Sequence, residues 1–298
     1  MTPSGNGHIE TLQLEKPPRR VVSLVPSLTE SLFDLGFGEV VVGITEYCVY
    51  PAEQVSKLPR VGGTKNPRLE EILALAPDLV LANREENPRQ IVEALQAANI
   101  PVWVTFPTTV RAALDILWLL VGLFHNRTAA SKLETLEIAL GWAQNAFSDS
   151  RPLRYFCPIW FDETSDGLPW WMTFNHETYT HDLLRIFGGW NIFADRLRRY
   201  PLEADLGLQD PQDPAGKDTR YPRVGLNELQ KANPEIILLP SEPYSFEAKH
   251  ETQIRDLLLD SLAVRHNRIV PVDGSLLTWH GTRLGRALQE LPALLAGE

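Results

Sequence analysis

Two stretches of this sequence are written to one pattern. "LEEILALAPDLVLA" at 69–82 and "LNELQKANPEIILL" at 226–239 each run from a helix-like segment into a proline, then an acidic residue, then four apolar residues. Proline has no amide hydrogen and clashes with the preceding turn, so it ends the helix, and the apolar run after it reads as a buried strand. A chain that repeats one such unit has the same apolar face to bury twice. The repeat therefore predicts a pair of similar lobes.

The elements around the first copy fill out a lobe over 19–127, after an N-terminal extension at 1–18. The run from Val21 to Leu24 is broken at Pro26. "SLTESLFDLGFG" then sets Leu28, Leu32 and Leu35 on one helical face, with Gly36 or Gly38 as its end. "VVVGIT" at 40–45 is the next strand. The first copy of the repeat is expected to turn Leu69, Ile72, Leu73 and Leu75 inward, with a stop at Pro77. "RQIVEALQAANI" and "PVWVTF" add one more helix and strand. Strands alternating with helices predict a parallel α/β sheet.

Residues 128–150 read as one linking helix, with Leu133, Leu136, Ile138, Leu140 and Ala143 on its inward pattern. A second series follows over 151–298, through "RYFCPIWF", "YTHDLLRIFGGWNIF", the second copy of the repeat, "QIRDLLLDSLAV" and "RIVPVDG". Between its parts lies "RLRRYPLEADLGLQDPQDPAGKDTRYP" at 196–222, rich in Pro and Asp, which reads as a mobile loop. The expected fold class is α/β: two α/β lobes with mainly parallel sheets bridged by one long α-helix.

Composition narrows the functions. The net charge of −10 over 298 residues speaks against a nucleic-acid surface, which needs clustered Lys and Arg. Cys48 and Cys157 read as two free thiols. The apolar run at 113–124 is too short to span a bilayer and contains Asp115, so a buried helix suits it better. The N-terminus has no basic region followed by an apolar one. The expected location is therefore cytoplasmic if Met1 is the native start, and otherwise periplasmic or cell-surface with a leader removed.

Catalytic motifs fail one by one. "GFGEVV" at 36–41 lacks the third glycine of a dinucleotide fingerprint and follows a helix instead of opening one. "GGTK" lacks the spacing of a phosphate loop. There is no G-x-S-x-G, C-x-x-C or H-E-x-x-H. His176 and His181 are five apart, which on a helix turns their rings about 140° from each other, a poor arrangement for zinc. No catalytic residue, resident metal or catalytic cofactor is expected.

What remains is a set of aromatic and polar residues at strand ends and turns: "TEYCVYP", "VGGTKNP", "LANREENP", "LPWWMTFNHETY", "TRYPRVG" and "LLTWHGTR". In open α/β sheets, ligands sit beyond the carboxyl ends of the strands. Tyr47, Thr64, Asn83, Trp170, Trp171, Tyr221, Trp279 and His280 would then line a cleft between two facing sheets. Flat rings there suit a large planar or macrocyclic ligand.

"RVVSLVPSLTESLFDLGFGEVVVGITEYCVYP" and "LPRVGGTKNPRLEEILALAPDLVLA" resemble the class III substrate-binding proteins of ABC importers, which bind cobalamin, ferric siderophores or haem. The cobalamin-binding branch is the most similar. The resemblance covers nearly the whole chain from residue 19 and is looser in the second lobe. It implies a small-molecule ligand, cobalamin or another metal chelate, in a cleft between lobes joined by a rigid helix. It also implies that the turn at Val25–Ser27 forms the cleft floor, with Ser27 toward the ligand, and that Tyr47, Thr64, Asn83 and Tyr221 line the site. In the family one glutamate per lobe docks on the ABC permease, seven residues before the proline of the repeat. That position is Glu70 here. In the second lobe it is Asn227, with Glu228 as the neighbouring substitute.

Two other readings stand beside the binding protein. One is a cytoplasmic enzyme or chaperone for a metal cofactor on the same scaffold, with His280, Glu46 or Cys48 as working groups. The other is an interaction module with a degenerate cleft.

Overall fold

The computed structural model describes residues 16–148 and 151–296. Residues 1–15 of the expected extension and residues 149–150 of the expected linking helix lie outside them. The chain divides into two compact units. The first takes the described residues up to Ala139 together with Trp279–Gly285; the second takes Leu140–Thr278 and the described residues from Arg286 onward. The helix Arg127–Ala146 runs across the boundary in the chain.

The first unit is built on four parallel strands: β1 (Val21–Ser23), β2 (Val41–Ile44), β3 (Leu79–Asn83) and β4 (Val102–Thr105), in the order β2-β1-β3-β4. Every residue of β1 and of β3 is buried. That is why these strands are continuous apolar runs: helices cover both faces of a parallel sheet, so neither face may be polar. Val22, Val80, Ile72 and Leu95 meet in one core under this sheet.

The second unit holds β5 (Leu153–Phe156), β6 (Trp160–Glu163), β7 (Pro169–Met172), β8 (Gly189–Asn191), β9 (Arg223–Gly225), β10 (Ile236–Pro240) and β11 (Ile269–Val272). Four of them form a parallel sheet in the order β11-β10-β5-β8. Read from its other edge, this is the order of the first sheet. The other three form an antiparallel sheet, β6-β7-β9.

The repeat is kept down to single hydrogen bonds. In the first unit the helix Leu69–Ala74 ends at Ala76, which takes φ 44°, before Pro77. In the second the helix Leu226–Ala232 ends at Asn233, with φ 46°, before Pro234. A left-handed residue closes a helix by turning the chain away from it. Arg20 donates to the carbonyls of Leu75 (2.7 Å) and Ala76 (3.2 Å), and Arg154 donates to that of Ala232 (2.5 Å). The acidic residue of the repeat fixes the neighbouring strand. Asp78 accepts the amides of Arg19 and Arg20 at 2.8 and 2.9 Å, and Glu235 accepts that of Arg154 at 3.0 Å.

Several details differ from the sequence reading. Leu73 is exposed, because the helix is only six residues long and Leu73 lies one step around from the buried Ile72. Ile138 faces outward on the long helix, while Leu133 and Leu140 are buried. "RYFCPIWF" is two strands, β5 and β6, because the chain leaves the parallel sheet after Phe156. The segment 196–222, expected as a mobile loop, is tied down. It contains the helix Leu202–Asp205, and the fully buried Asp205 carboxylate pairs with Arg196 and Arg223, both at 3.0 Å. The C-terminal lobe expected over 151–298 loses Trp279–Gly285 to the first unit.

Candidate functional site

In the first unit, the carboxyl ends of the strands carry three layers of residues. The deepest is a knot of amides. Asn83, the last residue of β3, is buried; its Oδ1 accepts the Glu85 amide at 2.8 Å, and its backbone amide donates to Asn87 Oδ1 at 2.8 Å. Asn87 Nδ2 donates to the carbonyls of Leu24 and Thr64, at 3.2 and 3.0 Å. Asn83 Nδ2 lies 3.3 Å from His280 Nε2. His280 is buried, and that burial pushes its pKa down to about 4. The neutral ring is therefore the form held at neutral pH. Asn83 and His280 thus hold strand ends together beneath the surface instead of lining an open face.

The middle layer is a buried ion pair. Glu30, on the helix Pro26–Asp34, receives a forked pair of hydrogen bonds from Arg283, Nε to Oε2 at 2.7 Å and Nη2 to Oε1 at 2.6 Å. The same helix clasps the chain around Arg283. Ser31 Oγ accepts the Thr282 amide at 3.1 Å, and Thr282 Oγ1 donates to Asp34 Oδ2 at 2.7 Å. Gly281 sits at φ +123°, and a Cβ there would lie 2.3 Å from Ser31 Oγ, so only glycine fits. These contacts are the physical reason that Trp279–Gly285 belongs to the first unit.

The outer layer is aromatic. The Arg283 guanidinium carbon lies 4.4 Å from the Tyr50 ring centroid and 4.7 Å from that of Trp279, and the two rings meet edge-on at 5.9 Å. An arginine fixed by a carboxylate behind it therefore orders two rings in front of it. Tyr47 is 61% exposed and Val49 48%, so the "TEYCVYP" turn presents apolar surface to solvent. Tyr47 leans over Gly63, where a Cβ would come within 3.2 Å of the ring. Thr64 is half-buried beside it.

The remaining site candidates are placed differently. Ser27 is buried on the helix Pro26–Asp34, and its Oγ has no hydrogen-bond partner among the described residues. Glu46 is exposed and pairs with Arg68 at 3.5 Å. Trp171 is a core residue of the second unit, packed on Phe161 and only 1% exposed, so it is not a lining residue. Trp170, the preceding residue of β7 and so on the opposite face of the strand, is buried as well. Tyr221 is half-buried under the Arg220 guanidinium, 5.2 Å from its ring centroid. Sequence reasoning passed over Glu30, Tyr50, Asn87 and Arg283. Tyr50 and Arg283 stood inside the quoted strand-end motifs, but nothing in the letters pairs positions 30 and 283.

The two docking candidates also part company. Glu70 is exposed in the first turn of its helix. Glu228 stands third in its helix, the place that Glu71 holds in the first copy. Both are engaged by arginines of their own unit: Glu71 by Arg68 at 2.5 Å, Glu228 by Arg196 at 2.9 Å. Glu228 is thus the counterpart of Glu71 and no substitute for a Glu at Asn227.

The groups named for a working site are each occupied separately. Cys48 is buried, which pushes its thiol pKa up, and its Sγ lies 3.1 Å from Thr29 Oγ1 and 3.2 Å from Thr45 Oγ1. A protonated, enclosed thiol is a poor nucleophile.

Residues 21–136 match the model of the family described as periplasmic binding protein. A vitamin B12-binding protein of Yersinia pestis is 32% identical over 183 residues, 61% of this chain and 62% of that protein; one of Yersinia pseudotuberculosis matches over the same extent. The match spans less than two thirds of those relatives. Among solved structures, the periplasmic vitamin B12 binding protein BtuF of Vibrio cholerae shares the fold at TM-score 0.73 and 20% identity, over 94% of this chain and 97% of that one. The periplasmic heme-binding protein RhuT from Roseiflexus sp. RS-1 does so at 0.69 and 22%, over 94% and 98%. In sequence over its first unit and in fold along both, the chain is similar to the class III substrate-binding proteins.

Proposed function

We propose that this chain is a non-enzymatic binding protein for a metal chelate, with a corrinoid as the leading candidate. The observation that carries this is the aromatic face of the first unit: Tyr47 and Tyr50 exposed at a strand end, with Trp279, ordered through Arg283 by the buried Glu30. Rigid rings offer a large apolar contact at little entropic cost, which suits a macrocycle. The relatives named for vitamin B12 and heme support the same reading. An enzyme or chaperone on this scaffold is disfavoured, because His280 and Cys48 are enclosed and bonded to structural partners.

Calorimetry with cobalamin, cobinamide, haem and ferric siderophores tests the reading, with one site expected for at least one of them. Tyr50→Ala should weaken that binding at least tenfold, since it removes a ring held by Arg283. No heat from any of the four overturns the proposal.

The relatives described as periplasmic favour export over residence in the cytoplasm, and a reporter fused after the first unit's leading segment reads which is true. An ABC permease is the expected partner, with Glu70 as the one exposed acidic contact of the two repeat positions. Asn227→Glu would complete the pair and should raise permease stimulation.

A further inference from the structure

Two neighbouring strands of the second unit, β5 and β10, each send a loop from the carboxyl end into one aromatic cluster. Trp160 opens β6 four residues beyond Phe156, and Tyr244 lies four residues beyond Pro240. The two rings meet edge-on at 5.3 Å, with Trp160 44% exposed. Behind them is the buried His250, in the first turn of the helix Ala248–Leu257. It is ringed by Tyr244 at 5.3 Å, Phe246 at 5.7 Å and Phe161 at 6.1 Å between centroids.

The hydrogen bonds of His250 fix its tautomer. Its Nδ1 accepts the Glu247 amide at 2.9 Å, so the neutral ring carries its proton on Nε2 and donates it to the Tyr244 hydroxyl at 3.0 Å. Glu247 is the N-cap of the helix, and its side chain accepts the His250 amide in return, which closes a capping box. In the common form of that box the returning acceptor is Glu or Gln. Histidine accepts at Nδ1 only while it is neutral. A second proton would sit on Nδ1 and face the Glu247 N–H, donor against donor.

The surroundings of the ring oppose that second proton. Burial, and then Lys249, push the His250 pKa below its ordinary value, against the pull of Glu247. Glu247 is itself paired with Lys249 at 3.1 Å, and a helix N-terminus disfavours a cation. Tyr244 meets Nε2 with its hydroxyl, and β6 faces the ring with Phe161, which carries no charge. We propose that His250 is a pH-sensitive latch: its neutral ring closes the helix N-terminus and pins Tyr244 against Trp160, and protonation opens both. The folded ring takes its proton later than the unfolded one, so the latch is closed above about pH 6.5 and is lost as pH falls below it. It lies wholly in the second unit and is independent of what the first unit binds.

Imidazole nitrogen NMR spectra of the full chain, which has seven histidines, read the latch directly. At pH 7.5 His250, assigned through its contacts to Phe161 and Phe246, should be protonated on Nε2 alone. Between pH 7.5 and 5 its titration should share a midpoint with the side-chain signals of Tyr244 and Trp160. Exchange of the Glu247 amide, corrected for the intrinsic effect of pH, should speed about fivefold over that range, as for a lost cap. In His250→Gln, whose side-chain oxygen accepts in both conditions, that exchange should hold steady. A ring protonated on Nδ1 at pH 7.5 overturns the proposal. So do Tyr244 and Trp160 signals that stay still while His250 titrates, and Glu247 exchange that is unchanged in the parent or changes equally in the variant. The tautomer and the shared midpoint are read in the parent protein, so either can overturn the latch even if the variant does not fold.

Discussion

The two units share a frame but put their buried carboxylates to different use. In each, an arginine closes the repeat helix and an acidic residue holds the first strand: Arg20 with Asp78, Arg154 with Glu235. Beyond that frame they diverge. The first unit uses Glu30 to hold a segment that returns from far along the chain, through Arg283. The second uses Asp205 to hold an inserted segment of its own, through Arg196 and Arg223. A carboxylate removed from water is stable only with partners of good geometry. Such a residue therefore marks where a unit has taken on something the repeat does not supply: a returning segment that carries an aromatic face in one case, an inserted segment in the other.

The comparison can be broken most forcefully at Arg283. Arg283→Met takes the forked arginine away from the buried Glu30, and a loss of about 3–5 kcal/mol is expected in denaturant unfolding. Glu30→Gln combined with Arg283→Met should recover much of it, since no uncompensated charge remains. A single-variant loss below about 1 kcal/mol would show that the pair does not hold the returning segment.

A somewhat smaller effect is expected from His280, and it depends on pH. Its folded pKa of about 4 lies below the ordinary 6.5, so the unfolded chain takes up the proton first as pH falls. Stability is whole above about pH 6.5 and declines as pH falls toward 4, by roughly 3 kcal/mol across that window. Calorimetric melting from pH 7.5 to 4 should show the decline, and His280→Gln should flatten that part of the profile. An unchanged slope in the variant would mean that other groups carry the acid sensitivity.

The smallest test compares the two helix ends. Ala76 and Asn233 take nearly the same left-handed φ, 44° and 46°, which alanine adopts at a cost. Asn233 also accepts the Leu262 amide at 2.9 Å. Ala76→Asn should stabilise by about 0.5–1 kcal/mol, and Asn233→Ala should cost about 1–2 kcal/mol. Losses from both changes would show that the two ends are not equivalent.

The sequence by itself determined the frame, because the frame is local. A helix, a proline stop and an apolar strand follow from residues a few places apart, and a parallel sheet buried on both faces has to be written in unbroken apolar runs such as "LVLAN". The same reading reached the strand ends, and with them Tyr47 and Trp279. It could not rank those residues. Trp171 and Tyr47 look alike as letters, yet one lies in a core and the other stands open, since burial depends on what crosses above a strand. It also could not pair Glu30 with Arg283, join Asn83 to His280, or bring Asp205 between Arg196 and Arg223. Those are contacts between residues distant in the chain. Their energies depend on which charges and donors find partners after the backbone has folded, and only the tertiary structure decides that.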